Sequence, residues 1–195
     1  MLFDLGGVLV ELGGVAEFGA LIGVTDNEDI WSRWLNSPWV RRYERGRCTR
    51  DDFAVGMVEE HGLPLSPDEF LGRFRDWPKG LMPGAAELVH GLARDVTAGC
   101  LSNTNEMHWN EQAGHEVVRE LFERPFLSHE LGLVKPDRAI FDHVVETLAC
   151  RPVEVLFLDD NLLNVEGALA AGLDAHRVNG VEDSRRLLAH RGLLG

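Results

Sequence analysis

The chain has 195 residues, 45% of them hydrophobic, and a formal net charge of -13 at pH 7. This length and composition predict a globular protein with one sizeable core and exclude a disordered chain. The acidic surface repels a phosphate backbone, so nucleic acid is not an expected partner. No apolar run reaches the length of a membrane span, and we expect a cytoplasmic protein with no membrane contact. The oligomeric state is left open.

Short apolar runs that end in polar residues predict buried parallel strands. The first run is short for a central strand, so a strand that starts upstream of Met1 is an expectation. The predicted strands are Met1 to Phe3, Val96 to Leu101, Pro125 to Leu127 and Val155 to Leu158.

The segment from Val15 to Leu81 has a different pattern. It holds every tryptophan except Trp109, and its apolar residues follow helical spacing. We predict a helical cap at residues 15–81, inserted into an α/β core of residues 1–14 and 82–195. We expect its aromatic side chains to form a core rather than a platform for a sugar.

The cap also carries a local basic cluster in an otherwise acidic chain. We expect a solvated helix face whose arginines pair with Asp51, Asp52 or Glu44, although the cluster also suits attraction of an anionic substrate. The cluster consists of Arg41, Arg42, Arg45 and Arg47.

Helical patterns alternate with the last three predicted strands, at residues 83–93, 136–149 and 164–172. The last of these stops at Gly172, as many helices stop at a glycine. This alternation predicts an α/β fold, a Rossmann-like parallel sheet flanked by helices.

Polar residues follow each predicted strand, where ligands bind in an open parallel sheet. Taken singly, each is an ordinary turn, cap or loop residue. Chance alone rarely puts such residues in this order at successive strand ends, so we treat them together as a site. They are Asp4, Ser102, Asn103, Lys135, Asp159 and Asp160.

Three carboxylates in one crevice raise each other's pKa unless positive charge offsets them. Lys135 alone supplies too little, whereas a hard divalent ion such as Mg²⁺ supplies enough. Such a site suits phosphoryl transfer, in which Asp4 attacks phosphorus and forms an aspartyl phosphate. Lys135 and Ser102 then hold the equatorial oxygens, and we assign Asn103 and Gly7 to phosphate binding.

The segments FDLGGVLV, LSNTN, GLVKP and FLDDNLLNVEGA together resemble the haloacid dehalogenase (HAD) superfamily of hydrolases. Within it, the chain looks most like members with a helical cap after the first motif. Examples are α-D-glucose-1-phosphate phosphatase and the N-terminal phosphatase domain of soluble epoxide hydrolase. YERGRCTRDDF is similar to a segment of their caps.

The resemblance implies Mg²⁺ as cofactor and gives each motif residue a role. Asp160 is a direct metal ligand and the Gly6 carbonyl completes the site. Asp159 and Asn164 act through water or from behind the ligands. By the same resemblance, Asp4 is the nucleophile, Ser102 the phosphate-binding hydroxyl and Lys135 the third-motif lysine.

Gly6 departs from the pattern of phosphatases in this superfamily. These generally carry a second aspartate two residues after the nucleophile, which protonates the leaving oxygen and later activates water. A proton donor must then come from elsewhere, and we consider Glu11, His108 and a metal-bound water. The glucose-1-phosphate branch also has glycine at this position.

Three functions stay open on the sequence. We favour a Mg²⁺-dependent phosphatase of a small phosphorylated metabolite, with a sugar phosphate as the first expectation. A metal-independent 2-haloacid dehalogenase also lacks the second aspartate, but Asp159 and Asp160 beside Asp4 would repel an anionic substrate. A catalytically silent protein that binds a phosphorylated ligand or a protein partner is disfavoured by the retention of Asp4, Lys135 and Asp160.

Overall fold

The structure is a computed structural model that describes residues 1–111 and 114–195. Among these residues, five strands pair in parallel and form the central sheet, and two more form a small antiparallel sheet. In chain order the strands are β1 (Leu2–Phe3), β2 (Val10–Leu12), β3 (Pro78–Leu81), β4 (Gly99–Ser102), β5 (Arg124–Leu127), β6 (Leu156–Asp159) and β7 (Asp174–Arg177).

Helices lie between and beside these strands. None within the described part of the chain is both long and apolar enough to span a membrane. In chain order the helices are α1 (Gly14–Ile22), α2 (Asn27–Asn36), α3 (Pro38–Tyr43), α4 (Arg50–His61), α5 (Pro67–Arg75), α6 (Ala85–His90), α7 (Glu106–Glu111), α8 (His115–Glu120), α9 (Ser128–Leu131), α10 (Arg138–Leu148), α11 (Leu162–Ala170) and α12 (Gly180–His190), and a 3-10 turn covers Pro152–Glu154.

The central sheet has the strand order β5-β4-β1-β6-β7. β1 is therefore central although it has two residues, with Leu2 opposite Gly99 on one side and Phe157 on the other. Because successive side chains of a strand point to opposite faces, Leu2 and Phe3 belong to different apolar clusters. The predicted parallel sheet with flanking helices is confirmed, and its order brings the ends of β1, β4 and β6 together.

Three of these strands, β2, β3 and β7, were absent from the strands predicted from the sequence. β7 reads DAHR and lies at a sheet edge with alternating exposure, so it lacks the continuous apolar run of a buried strand. β3 lies inside the segment 15–81, which we had interpreted as entirely helical. That interpretation is wrong for Pro78–Leu81, which pairs antiparallel with β2.

We call residues 14–77, which contain the helices α1 to α5, the cap. Local signals explain where these helices begin: Asp26 and Ser37 accept N-terminal backbone N–H groups, and Thr49 and Ser66 form capping boxes. The cap has its own apolar cluster, centred on Phe53, which is fully buried. The cap boundaries at residues 15 and 81 stay a prediction.

Candidate active site

Asp4, which directly follows β1, and Lys135, which lies between α9 and α10, form a buried ion pair. The Lys135 Nζ lies 2.8 Å from Asp4 Oδ1 and 2.6 Å from Asp159 Oδ2. It also donates to the Leu101 carbonyl oxygen at 3.0 Å. The Lys135 residue is 1% exposed, so one ammonium group links two carboxylates in a site nearly closed to water.

Asp159 is held from behind by the start of α11. Its Oδ1 accepts the Asn161 backbone N–H at 2.8 Å, and Asn164 Nδ2 donates to both of its oxygens at 3.1 Å. The other side-chain atom of that amide, Asn164 Oδ1, is buried without a hydrogen-bond partner among the described residues. A buried oxygen without a partner is costly unless a ligand or water completes it.

Asp160 is the third carboxylate. One oxygen from each of Asp4, Asp159 and Asp160 lies within 4.8 Å of the others. Gly7 explains how Asp160 approaches the first loop: its φ is +71°, and a Cβ there would overlap the Asp160 carboxylate. The backbone therefore requires glycine at position 7, for conformation and for space.

Burial is the main cause of the raised pKa values of the carboxyl groups in the site, and neighbouring carboxylates add to it. Burial and the charge of Asp159 raise the pKa of Asp4 to about 6, although Lys135 opposes the change. Burial and the charges of Asp4 and Asp159 raise the pKa of Asp160 to about 7. The same two carboxylates raise the pKa of Lys135 despite its burial, so it stays a cation.

The donor set fits a hard divalent cation. Carboxylate and amide oxygens are the ligands that Mg²⁺ prefers, and it typically takes one or two carboxylates together with waters and phosphate. Here the clustered carboxylates outnumber the single cation, and Asn164 Oδ1 lacks a partner. The predicted roles of Asp4, Gly6, Asp159, Asp160 and Asn164 at a metal stay predictions that this arrangement supports.

The predicted phosphate-binding residues differ in which hydrogen-bonding groups remain available to a phosphate. Ser102, at the end of β4, lines the cavity beside Asp4 and is 4% exposed. Asn103 lines it too, but its amide donates to the Lys135 carbonyl at 3.1 Å and accepts the Lys135 N–H at 2.8 Å. Asn103 thus positions Lys135. The phosphate role predicted for Asn103 requires the second N–H of its side-chain amide.

The structure does not support the phosphate-binding role predicted for Gly7. Its N–H donates to the Val10 carbonyl at 2.9 Å, and its own carbonyl accepts from Gly180 at 2.9 Å. The Gly7 N–H is therefore already bonded within the protein and is not available to a phosphate.

A cavity of about 120 Å³ lies between Asp4 and the cap. The core side carries the polar residues of the strand ends, and the cap side carries mostly aromatic and aliphatic ones. Three cap tryptophans, Trp31, Trp34 and Trp77, reach it, whereas Trp39 does not. The expectation that cap aromatics form a core holds for Phe53 and its neighbours, but these indoles also border the site.

Neither side chain proposed as the proton donor is well placed. Glu11 lies on β2, exposed, and borders a surface depression rather than the cavity beside Asp4. His108 lines the cavity, but its Nε2 lies 2.7 Å from the Phe74 carbonyl and its Nδ1 3.2 Å from Asn105 Nδ2. Burial lowers the pKa of His108 to about 4, so it is neutral near pH 7 with both nitrogens engaged.

A side chain at position 6 would have to displace the side chain of Leu12. A side chain there would start 2.6 Å from Cδ1 of Leu12, which lines the cavity. An apolar side chain from β2 thus occupies the space beside Gly6. Any acid in the cavity must come from another element.

Glu44 is a cavity residue that the sequence did not single out as functional. It was interpreted as a partner for the arginine cluster on a solvated face, yet it is 8% exposed and lines the cavity. Burial raises the pKa of Glu44 to about 7, with the Trp34 side chain and Lys135 opposing this. The nearby sequence YERGRC contains no periodicity that tells a buried acid from an exposed one.

Two arginines of the cluster, Arg41 and Arg45, pair with the core instead of with acids of the cap. Arg41 donates to both oxygens of Asp137 at 2.7 Å, and Arg45 pairs with the same carboxylate. Arg42 lies over the Trp39 ring. The prediction of pairing with Asp51, Asp52 or Glu44 is wrong for Arg41 and Arg45, because residues distant in sequence supply their partner.

The sequence as a whole matches a known family. Residues 1–172 match the haloacid dehalogenase-like hydrolases. The chain belongs to this family. Its HAD core is the five-stranded parallel sheet described above, and it is an enzyme of the hydrolase class, with named relatives that are phosphatases.

Two curated relatives of this HAD hydrolase cover most of the chain. The sesquiterpene phosphatase astK of Aspergillus oryzae is 28% identical over 175 residues, 88% of this chain and 85% of its own. The D-ribitol-5-phosphate phosphatase of Bacteroides thetaiotaomicron is 24% identical over 200 residues, 96% of this chain and 95% of its own.

A solved HAD family enzyme of Bacteroides thetaiotaomicron, in complex with magnesium and inorganic phosphate, has a TM-score of 0.71 and 27% identity. The match covers 95% of this chain and 96% of that one. Magnesium and phosphate are thus bound in a protein of the same fold.

Proposed function

We propose that this HAD hydrolase is a Mg²⁺-dependent phosphatase that hydrolyses small phosphomonoesters through Asp4. The observation that carries the proposal is the buried cluster in which Asp4, Asp159 and Asp160 surround too little positive charge. The magnesium and phosphate complex of the solved relative and the two phosphatase relatives support it.

Asp4 is the proposed nucleophile that attacks phosphorus. Lys135 holds one of its oxygens, which orients the carboxylate and leaves the other oxygen for attack. Lys135 also keeps Asp159 in place and offsets negative charge where a phosphoryl group would lie. Asp4 then forms an aspartyl phosphate, and water cleaves its bond to phosphorus and releases phosphate.

The remaining groups have binding roles. The Ser102 hydroxyl is positioned to donate to a phosphate oxygen, while Asp160, the Gly6 carbonyl and Asn164 Oδ1 are the proposed metal-side groups. A bound Mg²⁺ supplies charge that neutralises the phosphoryl oxygens. The cap excludes water from the site, which strengthens each of these electrostatic interactions.

The relatives leave the alcohol part of the substrate open. One is named for a polyol phosphate and the other for a sesquiterpene, so a polar and an apolar leaving group both occur among them. The expectation of a sugar phosphate stays a prediction, and the small phosphorylated metabolite is the proposed partner.

The test is hydrolysis of p-nitrophenyl phosphate with and without Mg²⁺. We expect turnover by the wild type with the metal, and none by Asp4→Asn, since the amide is a poor nucleophile. Glu11→Gln is the matched control and keeps full activity, because Glu11 lies outside the cavity. Undiminished turnover by Asp4→Asn would remove the proposed nucleophile.

Two other results decide between the remaining functions. Release of chloride from 2-chloropropionate without metal, together with no phosphatase activity, identifies a dehalogenase. Tight binding of a phosphorylated ligand with no turnover of either substrate identifies a silent binding protein. Calorimetry with Mg²⁺ on wild type and Asp160→Asn tests the metal site without relying on activity, and we expect heat from the wild type alone.

A further inference from the structure

The cavity beside Asp4 has two unlike walls. Its core wall carries the carboxylates, Lys135 and the polar strand-end residues, which bind and cleave the phosphate in the proposed function. On its cap wall, among the residues that the structure describes, Glu44 is the one side chain with a hydrogen-bond acceptor. Most of that wall is formed by Phe18, Ile30, Trp31, Trp34, Phe74 and Trp77.

This asymmetry bears on the alcohol of the substrate. A sugar or polyol brings several hydroxyl groups, and each loses its bonds to water on entry unless a protein group replaces them. The cap wall offers few such groups. An alkyl or aryl group instead buries apolar surface against aromatic rings, which favours binding in proportion to the area buried.

We propose that the cap wall binds the leaving group of a phosphomonoester of an apolar alcohol. The proposal rests on the proposed phosphatase function and names its substrate class. The cavity of about 120 Å³ also has to hold the phosphate, and an apolar cavity of about 150 Å³ accommodates benzene. We therefore expect an alkyl or aryl group no larger than one ring.

A matched pair of substrates tests the class. Pentyl phosphate and D-ribitol 5-phosphate share one carbon skeleton and differ only in their free hydroxyl groups. With Mg²⁺ present, we expect kcat/KM for pentyl phosphate to exceed that for ribitol phosphate by about 10- to 100-fold. A ribitol phosphate value that is equal or higher overturns the proposal.

The proposed phosphatase function has a separate readout in this experiment. Turnover of p-nitrophenyl phosphate that depends on Asp4 shows that the enzyme works, whatever the result of the pair. If p-nitrophenyl phosphate is also untouched, the phosphatase function itself has failed and the substrate class falls with it.

A variant of the cap wall sharpens the test. Trp31→Ala removes a partly exposed ring from the cavity, and we expect kcat/KM for pentyl phosphate to fall about 10-fold, with acetyl phosphate unchanged. Trp39→Ala is the matched control, a partly exposed cap tryptophan that lies outside the cavity. Equal effects of both variants on pentyl phosphate contradict the proposal.

Glu44 carries a second inference, which also rests on the proposed phosphatase function. An alcohol leaves phosphorus as an alkoxide unless a group donates a proton to it. Lys135 is held by two carboxylates, and His108 is neutral with both nitrogens engaged. Glu44 lies in the same cavity as Asp4, on the cap wall where the leaving group is expected.

The surroundings of Glu44 also suit an acid. Arg41 and Arg45, its neighbours in sequence, pair with Asp137 instead. Burial and the charge of Asp4 favour the acid form of Glu44, which is the state a proton donor needs, whereas the Trp34 side chain and the charges of Lys135 and Arg41 favour the carboxylate. Burial raises the pKa of Glu44 to about 7, in agreement with that placement.

We infer that Glu44 is the catalytic acid of this site. As Asp4 forms its bond to phosphorus, the bond from phosphorus to the alcohol oxygen breaks and its electron pair stays on that oxygen. The oxygen takes the proton of Glu44 and leaves as the alcohol. The Glu44 carboxylate then accepts a proton from the water that attacks the aspartyl phosphate, which restores the acid and frees Asp4.

The test compares two leaving groups in Glu44→Gln. p-Nitrophenolate departs without a proton, so turnover of p-nitrophenyl phosphate should change little. Turnover of pentyl phosphate should fall by about 10²- to 10⁴-fold, the usual contribution of a positioned acid. Glu60→Gln is the control, a cap glutamate that accepts a hydrogen bond from Ser37 at 2.6 Å.

The selectivity of the effect decides the inference. Equal losses with both substrates mean that Glu44 has only a structural role, and no loss with pentyl phosphate means that another group donates the proton. Either result overturns the assignment. Turnover of p-nitrophenyl phosphate by the wild type reports the phosphatase function separately. A failure of the Glu44 assignment can therefore be told apart from a failure of the phosphatase function.

Discussion

The core and the cap bury opposite kinds of side chain. The end of the core sheet buries charge, with Lys135 and Asp159 almost wholly removed from water and joined at 2.6 Å. The cap buries aromatic rings, such as Tyr43 and Phe53 stacked with centroids 4.5 Å apart, and places its arginines at the junction with the core. The difference places most of the buried charge in the core and most of the apolar wall of the cavity in the cap.

The largest expected effect comes from breaking the charge cluster of the core. Lys135→Met leaves Asp4 and Asp159 buried without their cation, which should lower the free energy of unfolding by about 3–5 kcal/mol. Turnover of p-nitrophenyl phosphate should be lost as well. Urea unfolding measures the first effect.

The chain has one other lysine, Lys79, which makes a matched control. It is exposed and donates to the Asp76 carbonyl at 2.6 Å, so Lys79→Met should change stability little. If Lys135→Met is as stable as this control, the buried ion pair does not stabilise the core as argued.

A cavity in the cap tests whether the two regions are separable. Phe53 is fully buried in the cap cluster, and Phe53→Ala should cost about 3–5 kcal/mol of stability. Mg²⁺ binding to the folded variant should persist, since the clustered carboxylates all belong to the core. Calorimetry checks this, with Val55→Ala, 42% exposed on the same helix, as control.

The pH dependence of stability tests the burial of Glu44. Burial raises its pKa from 4.5 to about 7, so between these values the folded protein keeps a proton that the unfolded chain releases. The free energy of unfolding should therefore decrease as pH rises through this window, by on the order of 3 kcal/mol, and then level off. Glu44→Gln should lack this contribution, and parallel profiles for the two proteins would contradict the burial.

The smallest effect is expected at the junction of cap and core. Asp137 has a side chain 36% exposed and accepts from Arg41 and Arg45, so Asp137→Asn should cost about 1 kcal/mol or less. KM for pentyl phosphate should rise a few-fold, more at low salt than at high salt. Asp142→Asn, which removes an exposed pair with Arg138, is the control and should leave KM unchanged.

Much of the core could be predicted from the sequence, for a physical reason. Parallel strands buried on both faces need continuous apolar runs, and the chain marks their ends with polar residues such as Asp4, Ser102 and Asp159. β7 was not predicted from the sequence, because an edge strand does not need a continuous apolar run. Gly7 was predicted to bind phosphate, but its N–H donates to the Val10 carbonyl oxygen.

The cap was predictable only as a helical segment. Helical spacing shows that aromatic residues share a face, but not whether that face meets its own cluster or a cavity. For this reason Trp31 and Trp39 look alike in sequence, yet one borders the cavity and the other supports Arg42. Glu44 and the arginines around it were likewise assigned to one solvated surface.

The sequence by itself determined the fold class and the charged groups at the strand ends, since both depend on local apolar runs and on the polar residues that end them. Only the tertiary structure decided which acid enters the cavity and which partner each arginine takes. Burial and long-range pairing arise when distant elements pack, and residues 44 and 137 meet neighbours that no local pattern specifies.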